Sequence, residues 1–454
     1  MEFPSLSKNN IFPIPAGNFW QVEPERIYIL YAPLNGYISL APQKVVEALE
    51  QKASGKIDEK AKSQMLSTFE SKGNVPVHHF SRTPHELYQI DILTNYTCNF
   101  KCTYCYSAAG RSSGQVDFSQ IKPVIDYLFC SSRKQARPYM INFSGGGEPL
   151  LSFPLIKQTI EYIESVASGK DYKYNIGLVT NGSLITPEIV EYFKSKKIDM
   201  AVSFEILKYF QNLERGSYDK VAANIDMMLD MEYSFGIRTT FTPDSVCQMT
   251  QMVEELSTRF PRLKQVVFDT VLSNEIFKTP EMLKDYCDNF LKEYFAAKER
   301  GKKLNIKVQS IAVETLSLIR DRACKGKIAL TPMGSISICA RISSPKESLY
   351  DKYIYGNVEN GVLNLDEEKF CKIIDENNIY SQDFCYNCFA KWNCGGGCRL
   401  FHQSFSPEFL KVKCNFTKQA LKQELFNLLQ DNHRHSQKEE LQDSINNKIK
   451  ANDI

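Results

Sequence analysis

Apolar and polar residues alternate in short runs at the start of the chain and fall at helical spacing soon after. Residues 26–42, RIYILYAPLNGYISLAP, alternate on either side of Asn35-Gly36, which predicts a β-hairpin. Helical stretches follow at 43–52 and 58–72, and this small unit closes near the polar, turn-rich residues 81–84. Beyond that point strand-like and helix-like segments take turns. Strands are predicted at 89–94, 139–144, 174–180, 200–204, 236–242 and 265–271, with helices at 118–130, 155–167, 187–196, 218–231 and 249–259 among them. Such a series predicts a parallel sheet, closed or partly closed into a barrel, whose chemistry sits at the C-terminal strand ends. The pattern weakens after 304–310, and glycines and cysteines dominate 324–414, as in a metal-held domain. From 417 an amphipathic helix (Leu421, Leu425, Leu428, Leu429) runs into a charged segment that carries no assigned chemistry.

Composition narrows the function classes. At about 150 residues per domain, 454 residues make roughly three domains. The hydrophobic fraction of 43% and aromatic fraction of 12% belong to a globular chain. A formal net charge of +2 provides no field to hold a nucleic acid by counterion release. The first residues, MEFPSLSKNN, have neither a basic nor an apolar signal region, and no apolar run reaches bilayer length, so a cytoplasmic protein without a membrane partner is expected. In that reducing compartment, 14 clustered cysteines point to metal binding or catalysis rather than disulfides.

The first cluster follows the strand predicted at 89–94: Cys98, Cys102 and Cys105 form a C-x3-C-x2-C loop with Tyr104 before the third cysteine. Three thiolates leave one iron of a four-iron cluster open, whereas a structural zinc ion asks for a fourth ligand. The zinc alternative needs a histidine, and the nearest, His85, precedes the strand. The loop resembles the signature of the radical S-adenosylmethionine superfamily. The resemblance implies that these cysteines are the catalytic centre, that the open iron chelates S-adenosylmethionine, and that a donor such as flavodoxin or ferredoxin supplies the electron.

Three further strand ends match that family. Gly145-Gly146-Gly147-Glu148-Pro149 looks like its Gly-Gly-Glu-Pro element, which assigns Gly146, Gly147 and Glu148 to the methionine ammonium. On residues alone it is a tight turn. Thr180-Asn181-Gly182-Ser183 reads as an ordinary Asn-Gly turn or, by order, as the family's third strand end, with Asn181 facing the cofactor. Ser203 matches a serine beside the cofactor's polar groups. Many relatives continue that serine as Ser-x-Asp-Gly, and this chain has Glu205-Ile206 instead. Arg215 and Arg238 are candidate carboxylate partners or plain surface or sheet-end arginines.

The second array is Cys324, Cys339, Cys385, Cys388, Cys394, Cys398 and Cys414. Its pattern resembles the SPASM domain, a C-terminal module with two auxiliary iron-sulfur clusters, so the resemblance implies three 4Fe-4S clusters in all. By that analogy Cys385, Cys388, Cys394 and Cys414 hold the distal cluster, and Cys324, Cys339 and Cys398 hold the nearer one. The nearer cluster is then a ligand short, to be met by a substrate thiolate or by a remote residue such as Cys371 or Cys287. Cys130 and Cys247 are expected to be buried neutral thiols. Zinc is again the plain alternative.

Residues 1–83 resemble a winged-helix-like peptide-recognition domain, which holds a leader peptide by adding a strand at a sheet edge. Alternatively they are a structural extension. The expected order is thus 1–83 leader recognition, 84–310 an α/β partial (β/α)6 barrel, 311–420 SPASM and 421–454 the tail. The function so implied is a maturase of a precursor peptide with leader, installing a crosslink, a thioether by preference. A sulfatase-maturing, formylglycine-forming enzyme is the alternative; such enzymes usually follow the second SPASM cysteine with aspartate, where this chain has Ala340. A non-catalytic zinc-bearing peptide-binding scaffold is the reading from another class.

Overall fold

The computed structural model describes residues 2–17, 26–55, 59–71, 73–80, 82–130, 135, 137–271 and 273–452, with 432–452 described in backbone only. Positions 58, 72 and 81, which end predicted segments above, and the last two residues of the tail lie outside the described residues. The chain divides into two compact units. The first is Met1–His79, Val313–Ala323 and Asn377–Ile454, and the second is Phe80–Ala312 and Cys324–Glu376. Residues 311–420, expected as one domain, therefore fall partly in each. No described helix is long and apolar enough to cross a membrane.

In the first unit β1 (Phe12–Pro15), β2 (Ile27–Ala32) and β3 (Tyr37–Pro42) form an antiparallel sheet in that order. The predicted hairpin is β2 and β3, paired from Ile27 with Pro42 to Ala32 with Tyr37. Its turn is a single 3-10 turn, Pro33–Asn35, closed by Gly36 at φ +62°. Both faces of β2 are covered, so its residues show no polar alternation. Tyr28 and Leu30 pack with Val46, Met65 and Phe69 of the helices Gln43–Ala53 and Glu59–Glu70. On the opposite face Ile29 and Tyr31 share a core with Cys385, Trp392, Leu421 and Leu425. The N-terminal sheet is thus the middle layer of a unit whose other layer holds most of the second cysteine array. Deleting 1–79 strips that layer from an aromatic and two leucines. The truncated chain is expected to lose soluble yield and to scatter light on purification, whereas an independent N-terminal module would come away cleanly.

In the second unit seven consecutive parallel strands lie side by side: β4 (Gln89–Ile92), β5 (Tyr139–Phe143), β6 (Tyr174–Thr180), β7 (Asp199–Ser203), β8 (Phe235–Phe241), β9 (Gln265–Thr270) and β10 (Lys307–Gln309). The chain then returns to the other side of β4 with β11 (Ile328–Leu330), which is parallel, and continues antiparallel through β12 (Ser335–Ser337), β13 (Ile354–Glu359) and β14 (Val362–Leu365). All six predicted strands are present within a residue or two. The sheet is open, with β10 and β14 at its ends. Along β8 the buried residues Phe235, Ile237, Thr239 and Phe241 alternate with half-buried Gly236, Arg238 and Thr240. A two-residue period of this kind puts one side against packed helices and leaves the other for polar groups.

Candidate active site

The second unit collects its candidate residues at the C-terminal ends of β4 to β8. After β4 the loop leaves through Asn95 and returns beside it: Tyr96 N donates to Gly114 O at 2.9 Å and Val116 N to Thr94 O at 3.0 Å. The three free, half-buried thiols Cys98, Cys102 and Cys105 lie within this closed loop. Burial pushes the thiols of Cys98 and Cys102 up.

The glycine run after β5 is dictated by this loop. Gly147 N donates to Asn95 O and Glu148 N to Thr97 O, each at 2.8 Å, so two backbones run in contact. A Cβ on Gly147 would stand 1.8 Å from Thr97 O, and one on Gly146 would stand 2.5 Å from Asn95 O. No side chain is compatible with that approach. Glu148 is buried, and burial pushes its carboxyl up. Its oxygens accept from Thr180 Oγ1 at 2.6 Å, Asn181 N at 2.8 Å and Leu150 N at 3.1 Å. Three of about four acceptor positions of the carboxylate are therefore engaged in tying the ends of β5 and β6 together.

The turn after β6 is wired to the cysteine loop through Asn99. Asn181 Nδ2 donates to Asn99 Oδ1, and Asn99 Nδ2 donates to Ser183 Oγ, both at 2.8 Å. Ser203 ends β7 in register with Arg238 of β8. Arg238 Nε donates to Asp269 at 3.0 Å, so that guanidinium already has a carboxylate. On β4 Asp91 pairs with Lys327 at 2.5 Å and accepts from Asn142 at 3.0 Å.

Tyr104 is engaged by residues from beyond the loop. Its hydroxyl donates to Glu205 and accepts from Arg215 Nη1 at 2.7 Å, and Arg215 stands 3.6 Å from Glu205. Glu205 is wholly buried, and burial pushes its carboxyl up to about 8 against the pull of Arg215 and the tyrosine hydroxyl. This triad links the loop to the end of β7. The pair Glu205-Ile206 acquires a physical meaning here: Ile206 holds φ +62°, a backbone that glycine adopts freely. That conformation costs roughly 1–2 kcal/mol for an L residue, which about 2 kcal/mol from burying an aliphatic side chain offsets; Ile206 is fully buried.

Sequence reasoning missed Arg111, a single arginine in an aperiodic loop. Its Nη2 donates to Cys105 Sγ at 3.4 Å and its Nη1 to Phe100 O at 2.5 Å. It also missed the role of Glu214, whose backbone oxygen accepts from Thr103 N at 2.9 Å.

In the first unit Cys385, Cys388, Cys394 and Cys414 come together. Burial pushes Cys385 and Cys394 up to about 12 each, and the neighbouring thiols of the set add to it. Lys391, Lys413 and Arg320 lie close enough to oppose that rise, and Lys418 opposes the one at Cys388 and Cys414. The run Gly395-Gly396-Gly397 holds φ of +64°, +78° and +84°. A Cβ on Gly395 would stand 2.5 Å from the backbone at Arg322 and Ala323. Asn393 anchors the array: it accepts from Tyr31 Oη at 3.0 Å and donates to the carbonyls of Thr315, Leu316 and Leu318. Cys398 is exposed in this unit, while Cys324 and Cys339 are half-buried in the other. Of the remote cysteines, Cys371 donates its thiol to Arg82 O at 2.8 Å and Cys287 is buried. Cys130 and Cys247, expected to be buried, are exposed. Cys130 lies just past the end of the helix Phe118–Leu128, and Cys247 faces outward from a short turn that buries Val246.

Among the described residues no three His, Cys, Asp or Glu side chains converge on a single-ion site. A four-iron cube is met differently, by thiolates that each reach a separate iron. The free thiol trio, the cation on Cys105 and the side-chain-free approach of Gly146 and Gly147 fit such a group.

Residues 92–256 match the family described as Radical SAM superfamily. Those residues, about a third of the chain, run from the end of β4 through β8, include the first cysteine loop and are similar to that family. An uncharacterized protein of Methanocaldococcus jannaschii is 30% identical over 165 residues, which are 35% of this chain and 54% of the relative. The radical SAM cyclopropyl synthase TigE of Paramaledivibacter caminithermalis is 27% identical over 27% of this chain and 28% of its own. The chain thus spans about half or less of these relatives. The cysteine-type anaerobic sulfatase-maturating enzyme of Clostridium perfringens is 23% identical over 69% of this chain and 89% of the relative. The solved structure of anSMEcpe with bound AdoMet superposes with a TM-score of 0.59 at 17% identity, over 75% of this chain and 98% of that one. The radical SAM fold with its parallel sheet is therefore shared.

Proposed function

We propose that this protein is a radical S-adenosylmethionine enzyme that modifies a peptide or protein. The observation that carries the reading is the closed loop of three free thiols at the end of the first parallel strand, capped by a guanidinium. Cys98, Cys102 and Cys105 would hold the cluster, and Tyr104, Gly146, Gly147, Glu148, Asn181 and Ser203 would contact S-adenosylmethionine. When bound, the cluster and S-adenosylmethionine supply a carbon radical that takes hydrogen from substrate. The protein's own part is to keep the loop rigid and the approach at Gly146 and Gly147 free of side chains. Cys385, Cys388, Cys394 and Cys414 would hold an auxiliary cluster in a strongly basic setting. The nearer auxiliary cluster rests on sequence spacing alone.

The substrate is a leader-bearing peptide that gains a crosslink, with a thioether preferred. For the leader, β3 is the better edge of the N-terminal sheet, because β1 carries Pro13 and Pro15, which have no amide hydrogen to donate. Formation of formylglycine in a sulfatase is the second reading, favoured by the 89% coverage of the Clostridium enzyme and opposed by Ala340 after Cys339. The test is anaerobic reconstitution with a strong reductant and S-adenosylmethionine, alone and with candidate peptides. Release of 5'-deoxyadenosine is expected. A peptide two daltons lighter with one thiol consumed marks the thioether, a cysteine turned into an aldehyde marks the second reading, and no nucleoside under any condition refutes both.

A further inference from the structure

We propose that Arg111 is a positioning residue that sets the reduction potential of the cluster held by Cys98, Cys102 and Cys105; the inference rests on the reading above. Three observations place it there. The chain turns back after the third cysteine through Ala108 N to Cys105 O at 3.2 Å and Gly110 N to Ser107 O at 3.2 Å, which brings residue 111 over the loop it has just left. The turn is pinned from outside: Lys346 Nζ donates to Arg111 O at 3.2 Å, and Gly110 approaches Ser344 so closely that a Cβ would stand 2.7 Å from it. The guanidinium then spans the loop, from Phe100 O, between the first two cysteines, to Cys105 Sγ.

That geometry has two consequences. A fork with two donors in fixed directions holds the loop at the spacing the thiols need, a task a lysine point charge does poorly. Its charge also lies within reach of all three thiols, since each of them interacts with it electrostatically. Every thiolate adds negative charge, and an added electron deepens it, so a fixed cation and an N–H donor on sulfur stabilise the reduced state more than the oxidised one. The potential therefore rises. Arg215 contributes in the same direction at Cys102 but is shared with Glu205 and Tyr104, so Arg111 is the arginine devoted to the trio.

The experiment is a redox titration of the reconstituted full-length chain, followed by electron paramagnetic resonance of the signal that changes when S-adenosylmethionine is added. Wild type, Arg111→Gln and Arg111→Lys are compared at matched iron content. Arg111→Gln is expected to give about tenfold less reduced cluster at a fixed potential, a shift of about 59 mV to more negative values for a one-electron couple. Arg111→Lys, which keeps the charge and loses the fork, should recover part of it. Identical midpoints in wild type and Arg111→Gln overturn the proposal. If Arg111→Gln fails to hold iron, retention by Arg111→Lys upholds the role of the charge, and loss in both reduces Arg111 to a structural staple and overturns it. Failure of the underlying reading shows separately, as a wild-type protein with no signal responsive to S-adenosylmethionine.

Discussion

Gly147→Ala is expected to abolish 5'-deoxyadenosine release and to destabilise the protein by roughly 3 kcal/mol, the upper part of the range for forcing atoms into a packed site. The added carbon would lie 1.8 Å from Thr97 O and 2.3 Å from Asn95 Oδ1. The first of these is backbone and cannot swing aside. Relief requires the strand-end run 145–148 to part from residues 95–97, which breaks the hydrogen bonds from Gly147 N and Glu148 N and opens the base of the cysteine loop. Gly147 is not among the glycines with positive φ, so the penalty is steric and any residue larger than glycine incurs it. Gly236→Ala on β8 is the matched control: nothing lies within 4 Å of its would-be Cβ, and a stability change within about 0.5 kcal/mol is expected. Urea denaturation of the two variants against wild type measures the difference, and equal midpoints would refute the backbone-contact account.

The parts of this molecule that were legible in sequence are those whose cause is local. The six central strands show as apolar runs because helices cover one side of the sheet and because each run ends in a turn. The first cysteine loop shows because its spacing is contiguous. What escaped depends on partners distant along the chain. Nothing in 26–42 announces that Ile29 and Tyr31 meet Trp392 and Leu425, so the N-terminal hairpin read as a separate module rather than the middle of a unit. The strand Lys307–Gln309 and its neighbour Ile328–Leu330 have three residues each, too few to carry a period. Arg111 has no pattern of its own, because its meaning lies in a turn that folds back on Cys105. Glu205 did leave a trace, as a departure from Ser-x-Asp-Gly, yet only the φ of Ile206 and the triad with Tyr104 and Arg215 explain what replaced that motif.

That triad yields the other large effect. Arg215→Met should cost roughly 3–5 kcal/mol, since it leaves a buried acid without its cation. Glu205→Gln removes the charge while keeping the shape and should cost only about 1–2 kcal/mol. The two variants also differ in pH dependence. In the folded chain burial raises the Glu205 carboxyl to about 8 from an ordinary 4.5, with Glu214 nearby adding to the rise. Between those values the folded protein keeps a proton that the unfolded chain has released. Folding thus gains from this group in full below about 4.5, and the gain drains away as pH climbs through about 8. Wild type should accordingly lose stability relative to Glu205→Gln from pH 5 to pH 8, whereas the cost of Arg215→Met should grow only as pH passes about 8, because without the guanidinium the buried carboxyl is pushed up further and keeps its proton where wild type releases it. Glu148 and Glu214 are also pushed up by burial and slope the same way. The quantity to follow is therefore the difference between wild type and Glu205→Gln, in which those shared contributions cancel; a difference that stays flat across this range would place the Glu205 carboxyl at its ordinary value.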